Sequence, residues 1–261
     1  MNALKRKLDY HYKYFDKDKI SPDPLEFPRM YQTPMDIEAV GFISSVFAYG
    51  RVEQIMSVLN RLVSIIGPNP GEFIINYNIK AQAKLFSDLK HRFYTSYDIS
   101  ILFYILHQVY THYGSIKRMF LLYYFEQDRN LKEPVSFFSN NMISLISHEH
   151  RGYEVTRGLE FMFPDPAKGS ACKRMNLFLR WMVRRDELDF GLWKEIPKDK
   201  LVIPVDTHVA RICSELGLTT LKNVSWKMAE EITENIRRYD RNDPVKYDFA
   251  ICHIGMRKLK F

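Results

Sequence analysis

Apolar residues along this chain recur at three- and four-residue steps, the period of a helix with one buried face. Ile55, Val58, Leu59 and Leu62 keep that rhythm between Arg51 and a stop at Gly67-Pro68. Thr33-Pro34 opens an earlier helix, because Thr caps and Pro suits the first helical position. Ile37, Val40, Gly41 and Ser44 share one of its faces, and it ends near Tyr49-Gly50. Residues 70–86 read as short helical pieces. Leu89 to Ser96 has no stripe and reads as a loop. Ser96 caps a long apolar helix that reaches His112 and stops at Gly114. Further helices are predicted over about 115–125 and from Pro134 to about Ser147, before a polar surface stretch to Gly158.

The last hundred residues carry the clearest pattern. Ser170 can cap a helix running to Arg185, with Met175, Phe178, Leu179 and Met182 as its core stripe. Asp206 stands at the start of another, with Val209, Ile212, Cys213 and Leu216 facing inward and Gly217 closing it. Ser225 caps a third, to about Tyr239, and Asp243-Pro244 opens a fourth that ends at Gly255. Every strong signal is helical, so the prediction is an all-α fold. Residues 1–32 read as a helix and a connector broken by prolines. Residues 33–261 read as one domain of two helical subdomains, roughly 33–150 and 151–261.

Composition narrows the picture. With 46% hydrophobic and 26% charged residues in 261, the chain can fill a core and is not disordered. Its 11 glycines are too few for the tight turns of a barrel or sandwich. No long apolar run appears, so no membrane partner is expected, and the charged N-terminus lacks the apolar region of a secretory signal. Three dispersed cysteines form no disulfide framework, cannot supply a four-thiolate cluster, and point to a reducing cytoplasm. His148-Glu149-His150 resembles a metal string, but i, i+2 ligands point apart on a helix, and a solvated loop is the simpler reading. No phosphate loop, dinucleotide fingerprint or nucleophile elbow is present, so neither cofactor nor metal is expected.

The formal charge of +7 permits a polyanionic partner without requiring one. It concentrates in one place. Lys168, Lys173, Arg174, Arg180, Arg184 and Arg185 fall in a stretch with no Asp or Glu. Such a run attracts a polyanion, and it disfavours the ammonium form of Lys173, as a nucleophilic lysine requires. Thirty-three residues after Lys173 comes Asp206, behind the apolar run Leu201-Val202-Ile203-Pro204. Each has a plain alternative. Lys173 alone reads as a solvated first-turn lysine, and Asp206 alone as an N-cap worth about 1 kcal/mol.

The segment Val205-Asp206-Thr207-His208-Val209-Ala210-Arg211, closed by Leu216-Gly217-Leu218, resembles the catalytic-aspartate segment of the helix-hairpin-helix DNA glycosylase superfamily. Lys173 matches the lysine that precedes that aspartate. The usual Leu-Pro-Gly-Val-Gly-x-Lys hairpin is replaced by Phe163 to Lys173, and the Lys-to-Asp interval is longer than in the endonuclease III branch. Both departures are similar to the archaeal 8-oxoguanine glycosylase/lyase branch. The C-terminal cysteine cluster common in endonuclease III relatives is absent. The string Cys172-Lys173-Arg174-Met175-Asn176-Leu177-Phe178-Leu179-Arg180-Trp181-Met182-Val183-Arg184 also resembles a bacterial domain family of unknown function.

The superfamily resemblance implies two helical subdomains around a cleft, with an atypical helix-hairpin-helix element. It implies base excision from damaged double-stranded DNA with lyase activity and no cofactor. The expected lesion is 8-oxoguanine, and the expected form a monomer, cytoplasmic or nucleoid-associated. Lys173 and Asp206 are the implied catalytic pair. Lys168, Gly169, Ser170, Arg174, Arg184 and Arg211 are candidates for gripping phosphates. Tyr49, Arg51, Phe93 and Tyr94 are candidates for wedge or base pocket, although aromatics in an all-α protein more often fill the core. Asp248 and Cys252, at i, i+4 on the last helix, are candidates for reading the base; a salt bridge to Lys246 or Arg257 is the alternative for Asp248. A non-catalytic helical module that binds nucleic acid is the competing function.

Overall fold

The computed structural model describes residues 3–149 and 153–256. It is mostly helical: thirteen α-helices and several one-turn 3₁₀ helices, with no named strand among the described residues. The chain divides into two compact units. The first joins Met1–Ser21, Gln127–Lys132 and Pro166–Phe261; the second joins Pro22–Glu126 and Glu133–Asp165.

The second unit contains α2 (Pro34–Phe47), α3 (Val52–Ile66), α4 (Pro70–Ile75), α5 (Ile79–Gln82), α6 (Ser96–Tyr113), α7 (Ile116–Leu121), nearly all of α8 (Lys132–Glu149) and α9 (Arg157–Met162). Helix α2 was expected to bury one face. Instead every residue from Asp36 to Phe47 is buried, which makes it the unit's central element. Its two acids survive there because backbone amides satisfy them. Asp36 accepts from the Gly71 amide at 2.8 Å, and Glu38 accepts from the Ile116 and Lys117 amides at 2.8 and 3.1 Å. Helix α6 is capped by Thr95, one residue before the expected Ser96, and ends at left-handed Gly114 as the sequence predicts. The polar stretch after Ser147 does not run unbroken as surface loop: α8 continues to Glu149 and α9 starts at Arg157. The side chains of His148, Glu149 and His150 lie outside the described residues.

The first unit contains α1 (Ala3–Tyr14), α10 (Lys173–Val183), α11 (Thr207–Glu215), α12 (Trp226–Arg237) and α13 (Asp248–Met256). Helix α1 belongs to this unit because its inner face packs on α13. Leu8 and Phe15 are buried, and the Phe15 ring meets those of Phe249 and His253. Helix α11 also packs on α13. A Cβ on Gly255 would meet His208 Cβ at 3.2 Å, so a small residue is needed at that crossing.

The cationic stretch departs most from its sequence reading. Arg180 and Arg184 are only 2% and 3% exposed. Arg180 donates to Asp189 at 3.2 Å and forms an ion pair with Asp248. Arg184 grips Asp243 with Nε and Nη2 at 2.9 and 3.1 Å, pairs with Asp186 at 3.0 Å, and also donates to Asp189. The counter-ions absent from 168–185 therefore arrive from just beyond it and from residues 243 and 248. Asp243 is a partner of Arg184, not a helix cap, and α13 starts later, at Asp248. Removing one partner from such a cluster leaves buried charge uncompensated, which typically costs about 3–5 kcal/mol. Arg184→Ala is expected to lower unfolding free energy by that order, read by chemical denaturation. A loss below about 1 kcal/mol would show that the interior tolerates the orphaned carboxylates.

Candidate active site

Three local features bring Lys173 and Asp206 together in the first unit. The chain enters α10 through two left-handed residues, Gly169 at φ +88° and Cys172 at φ +46°. The glycine conformation is one that L side chains rarely adopt, and the Gly169 carbonyl accepts from the Trp226 amide at 3.1 Å. Cys172, rather than Ser170, is the N-cap, with no side-chain cap bond; Ser170 Oγ instead accepts from the Cys172 amide at 3.2 Å. Lys173 is thus the first residue of α10. On the other side, the buried extended run Leu201 to Val205 is held by a hydrogen bond from the Ile203 amide to Thr233 Oγ1 at 3.0 Å. That delivers Asp206 to the start of α11.

The two carboxylate oxygens of Asp206 face different partners. Oδ1 accepts from the His208 and Val209 amides at 2.9 and 3.0 Å, which caps α11. Oδ2 lies 3.6 Å from Lys173 Nζ. Both side chains are about one quarter exposed, 26% and 28%, so the pair is neither sealed in the core nor fully solvated. Burial pushes the Asp206 carboxyl upward, but the Lys173 ammonium and the Val209 and His208 amides outweigh it and hold it below the ordinary carboxylate range. The N-cap reading of Asp206 therefore holds, and its second oxygen also faces Lys173.

The phosphate-grip candidates separate. Lys168 and Gly169 are exposed and Ser170 is half-buried. Arg211 is exposed and paired with Glu215 at 2.7 Å. Arg174 is buried, and Arg184 is committed to the ion cluster, so neither offers a guanidinium at the surface. Sequence charge alone misjudged them because their burial depends on distant residues. Asp248 is likewise interior. It is 2% exposed, and its partner is Arg180 rather than Lys246, which pairs with Asp240; Arg257, the other expected partner, lies outside the described residues. Burial pushes its carboxyl up to about 6 against the pull of Arg180 and Lys173. Cys252 is half-buried on α13, with its sulfur 3.7 Å from Met256 Sδ.

The aromatic candidates lie in the second unit. His91 and Tyr94 exchange backbone hydrogen bonds at 3.0 and 2.9 Å, closing a two-residue turn in which Arg92 takes φ +53°. Tyr94 is fully buried and its hydroxyl donates to the Val46 carbonyl at 3.2 Å, so it is core and not wedge. Phe93, on the turn's tip, is 60% exposed. Tyr49 braces the turn: its hydroxyl donates to the His91 carbonyl at 2.8 Å and accepts from the Phe93 amide at 3.3 Å. The Tyr49 and Phe93 rings are near-parallel, and Phe161 packs against both. Phe161 was not singled out in the sequence, where it sits beyond a polar stretch. Arg51 is the exposed N-cap of α3. Gly50, at φ +101°, lies under the Arg92 side chain, which a Cβ there would meet at 2.8 Å.

Among the described residues, no helix is long and apolar enough to cross a membrane, and no cluster of His, Cys, Asp and Glu could hold a metal ion. A family model described as "Protein of unknown function (DUF2400)" matches residues 23–257, a span that includes Lys173, Asp206 and the turn at Phe93. No curated protein and no solved structure matches the chain.

The division of labour at Asp206 can be measured. Asn caps as well as Asp, whereas Ala loses about 1 kcal/mol of helix capping. Asp206→Ala is expected to be the least stable variant, with Asp206→Asn between it and wild type at neutral pH, because it keeps the cap and loses the charge. Because the folded-state value of Asp206 is depressed, its charge stabilises the fold above the ordinary carboxylate range, and that contribution fades as pH falls through the lower folded value. Urea titrations across this range check both; a wild-type-minus-Asn difference that grows on acidification overturns the assignment.

Proposed function

As the chain belongs to the DUF2400 family of proteins of unknown function, we propose from its own site that it is a DNA glycosylase with lyase activity. The proposed substrate is damaged double-stranded DNA, with Lys173 as nucleophile and Asp206 as its electrostatic and proton-transfer partner. The observation that carries this reading is the convergence of an amine and a carboxylate 3.6 Å apart, each at the start of a separate helix and each partly open to solvent. The resemblance of the flanking segments to helix-hairpin-helix glycosylases supplies the substrate class, and its archaeal 8-oxoguanine branch supplies oxidised guanine as the lesion.

In the proposed reaction Lys173, once its ammonium has given a proton to solvent, attacks C1′ of the damaged nucleotide. The C1′–N bond breaks, and its electron pair leaves with the base. Positive charge develops on the sugar as that bond lengthens, and the fixed Asp206 carboxylate stabilises it. Asp206 takes the proton released by the lysine nitrogen and passes it to the departing base. Opening of the sugar gives a Schiff base, from which β-elimination breaks the strand on the 3′ side. The base must first leave the stack, which costs a few kcal/mol. Lys168 and the backbone around Gly169 and Ser170 are assigned to phosphates.

Borohydride trapping on duplexes containing 8-oxoguanine or an abasic site tests the pair. Lys173→Gln is expected to abolish the trapped adduct and strand nicking while duplex binding stays near wild type. Asp206→Asn should slow base release by a few orders of magnitude, since one preorganised electrostatic partner is typically worth about 3–4 kcal/mol. A trapped adduct in Lys173→Gln would assign the chemistry to another amine. Wild-type protein that binds damaged duplexes without any adduct or cleavage would favour the non-catalytic binding module.

A further inference from the structure

Helix α1 lies outside the residues that match the family, and neither the ion cluster nor the Lys173–Asp206 pair uses its outer face. Its inner face is fully engaged. Leu8 and Phe15 are buried, Tyr12 donates to Asp186 at 3.2 Å, and Asp9 accepts from Tyr247 at 2.7 Å. The opposite face, continued by the 3₁₀ turn Lys17–Lys19, presents Arg6, Lys7, Tyr10, Lys13, Tyr14 and Lys17, all exposed. These positions follow the three- and four-residue spacing of one helical stripe. The acids Asp9 and Asp16 are off the stripe and paired with Lys5 and Lys19 at 3.1 and 3.2 Å. Between residues 3 and 19, Asp18 is the exposed acid, at the far end.

Tyr10 and Tyr14 are 64% and 44% exposed, and their rings lie near-parallel, 18° apart with centroids 6.4 Å from each other. A cationic stripe with flat, exposed rings at successive helical turns matches a chain that carries both phosphates and unpaired bases. Fully paired bases would offer these rings only edges. An anionic membrane would need an apolar face to insert, and α1 has already buried its own on α13.

We propose that the outer face of α1 binds single-stranded nucleic acid, with Tyr10 and Tyr14 stacking on bases and the flanking lysines and Arg6 holding phosphates. The binding stands on this helix alone and does not depend on the chemistry assigned to Lys173.

Fluorescence anisotropy of the full chain with labelled oligothymidylate, a duplex of the same length, and phosphatidylserine-containing vesicles tests it. Tyr10→Ala combined with Tyr14→Ala should weaken oligothymidylate binding about tenfold or more. It should change duplex affinity less than about twofold and leave intact any borohydride adduct formed on damaged duplexes. Tyr10→Phe with Tyr14→Phe should keep wild-type affinity. Lys13→Gln with Lys17→Gln should reduce the slope of log affinity against log salt by about 0.7 for each lost contact. Equal losses on single strand and duplex, unchanged single-strand binding in the alanine pair, or tighter binding to vesicles than to oligothymidylate would each overturn the proposal. If the alanine pair fails to fold by circular dichroism, the salt slope of the lysine variant decides.

Discussion

Two guanidinium groups in a dry interior set the conditions for the rest of the first unit. Moving a charge of that size out of water costs several kcal/mol even after the protein relaxes, and only close, well-directed carboxylates offset it. Arg180 and Arg184 therefore dictate where the chain must go. The turn at 186–189 has to fold back onto α10, the turn near 243 has to reach Arg184, and the first residue of α13 has to meet Arg180. Once α13 is fixed, α11 follows, because it packs on α13 with Gly255 against His208. The start of α10 and the start of α11 are then both determined. Their first-turn groups, the Lys173 amine and the Asp206 carboxylate, meet at the end of a mechanical chain that begins at two buried arginines.

Inside that cluster, the carboxyl groups differ according to how much water they keep. Asp189, fully enclosed, has its carboxyl pushed up by burial despite both arginines. Asp186 keeps some solvent, and Arg184 together with nearby amides draws it down in spite of burial. Burial, reinforced by the Asp248 charge, also pushes the Cys213 thiol up and leaves it an inert packing group. Both arginines nonetheless hold their protons more firmly than usual, since burial is outweighed by the acids around them. The cluster thus spends its electrostatics on architecture, while the pair at Lys173 and Asp206 stays partly solvated.

Much of the helical plan was legible in the sequence because capping and periodicity are local. Thr33 before Pro34, Gly114 after Tyr113 and Ser225 before Trp226 each act where the residue order places them. What could not be read was anything decided by partners far away along the chain. Arg184 looks like a surface cation until Asp243 is brought to it, and Asp248 looks available until Arg180 claims it. Tyr94 and Phe93 are adjacent and chemically alike, yet one is core and the other exposed. The chain reverses at Arg92-Phe93, which puts Phe93 on the tip and returns Tyr94 to the core. Helix α2 misled for the converse reason. Its one-sided stripe of apolar and small residues is real, but two acids within it are satisfied by amides from other helices, so the polar face is buried as well.

The geometry at Asp206 gives a physical reason why a helix start suits this site. An aspartate has only two side-chain torsions, and two backbone amides lock one of its oxygens into the α11 cap. The second oxygen then has little freedom left, so it points at Lys173 without a separate entropy cost at each encounter. The lysine is long and flexible, but its backbone is set by the left-handed Cys172 and the buried stripe of α10. For the reaction we propose, a stiff carboxylate facing a mobile amine puts the stabilising charge in place before the group that forms the bond moves. A cap alone would use one oxygen and be indifferent to what lay opposite the other. In this protein the other oxygen is 3.6 Å from the amine that begins α10.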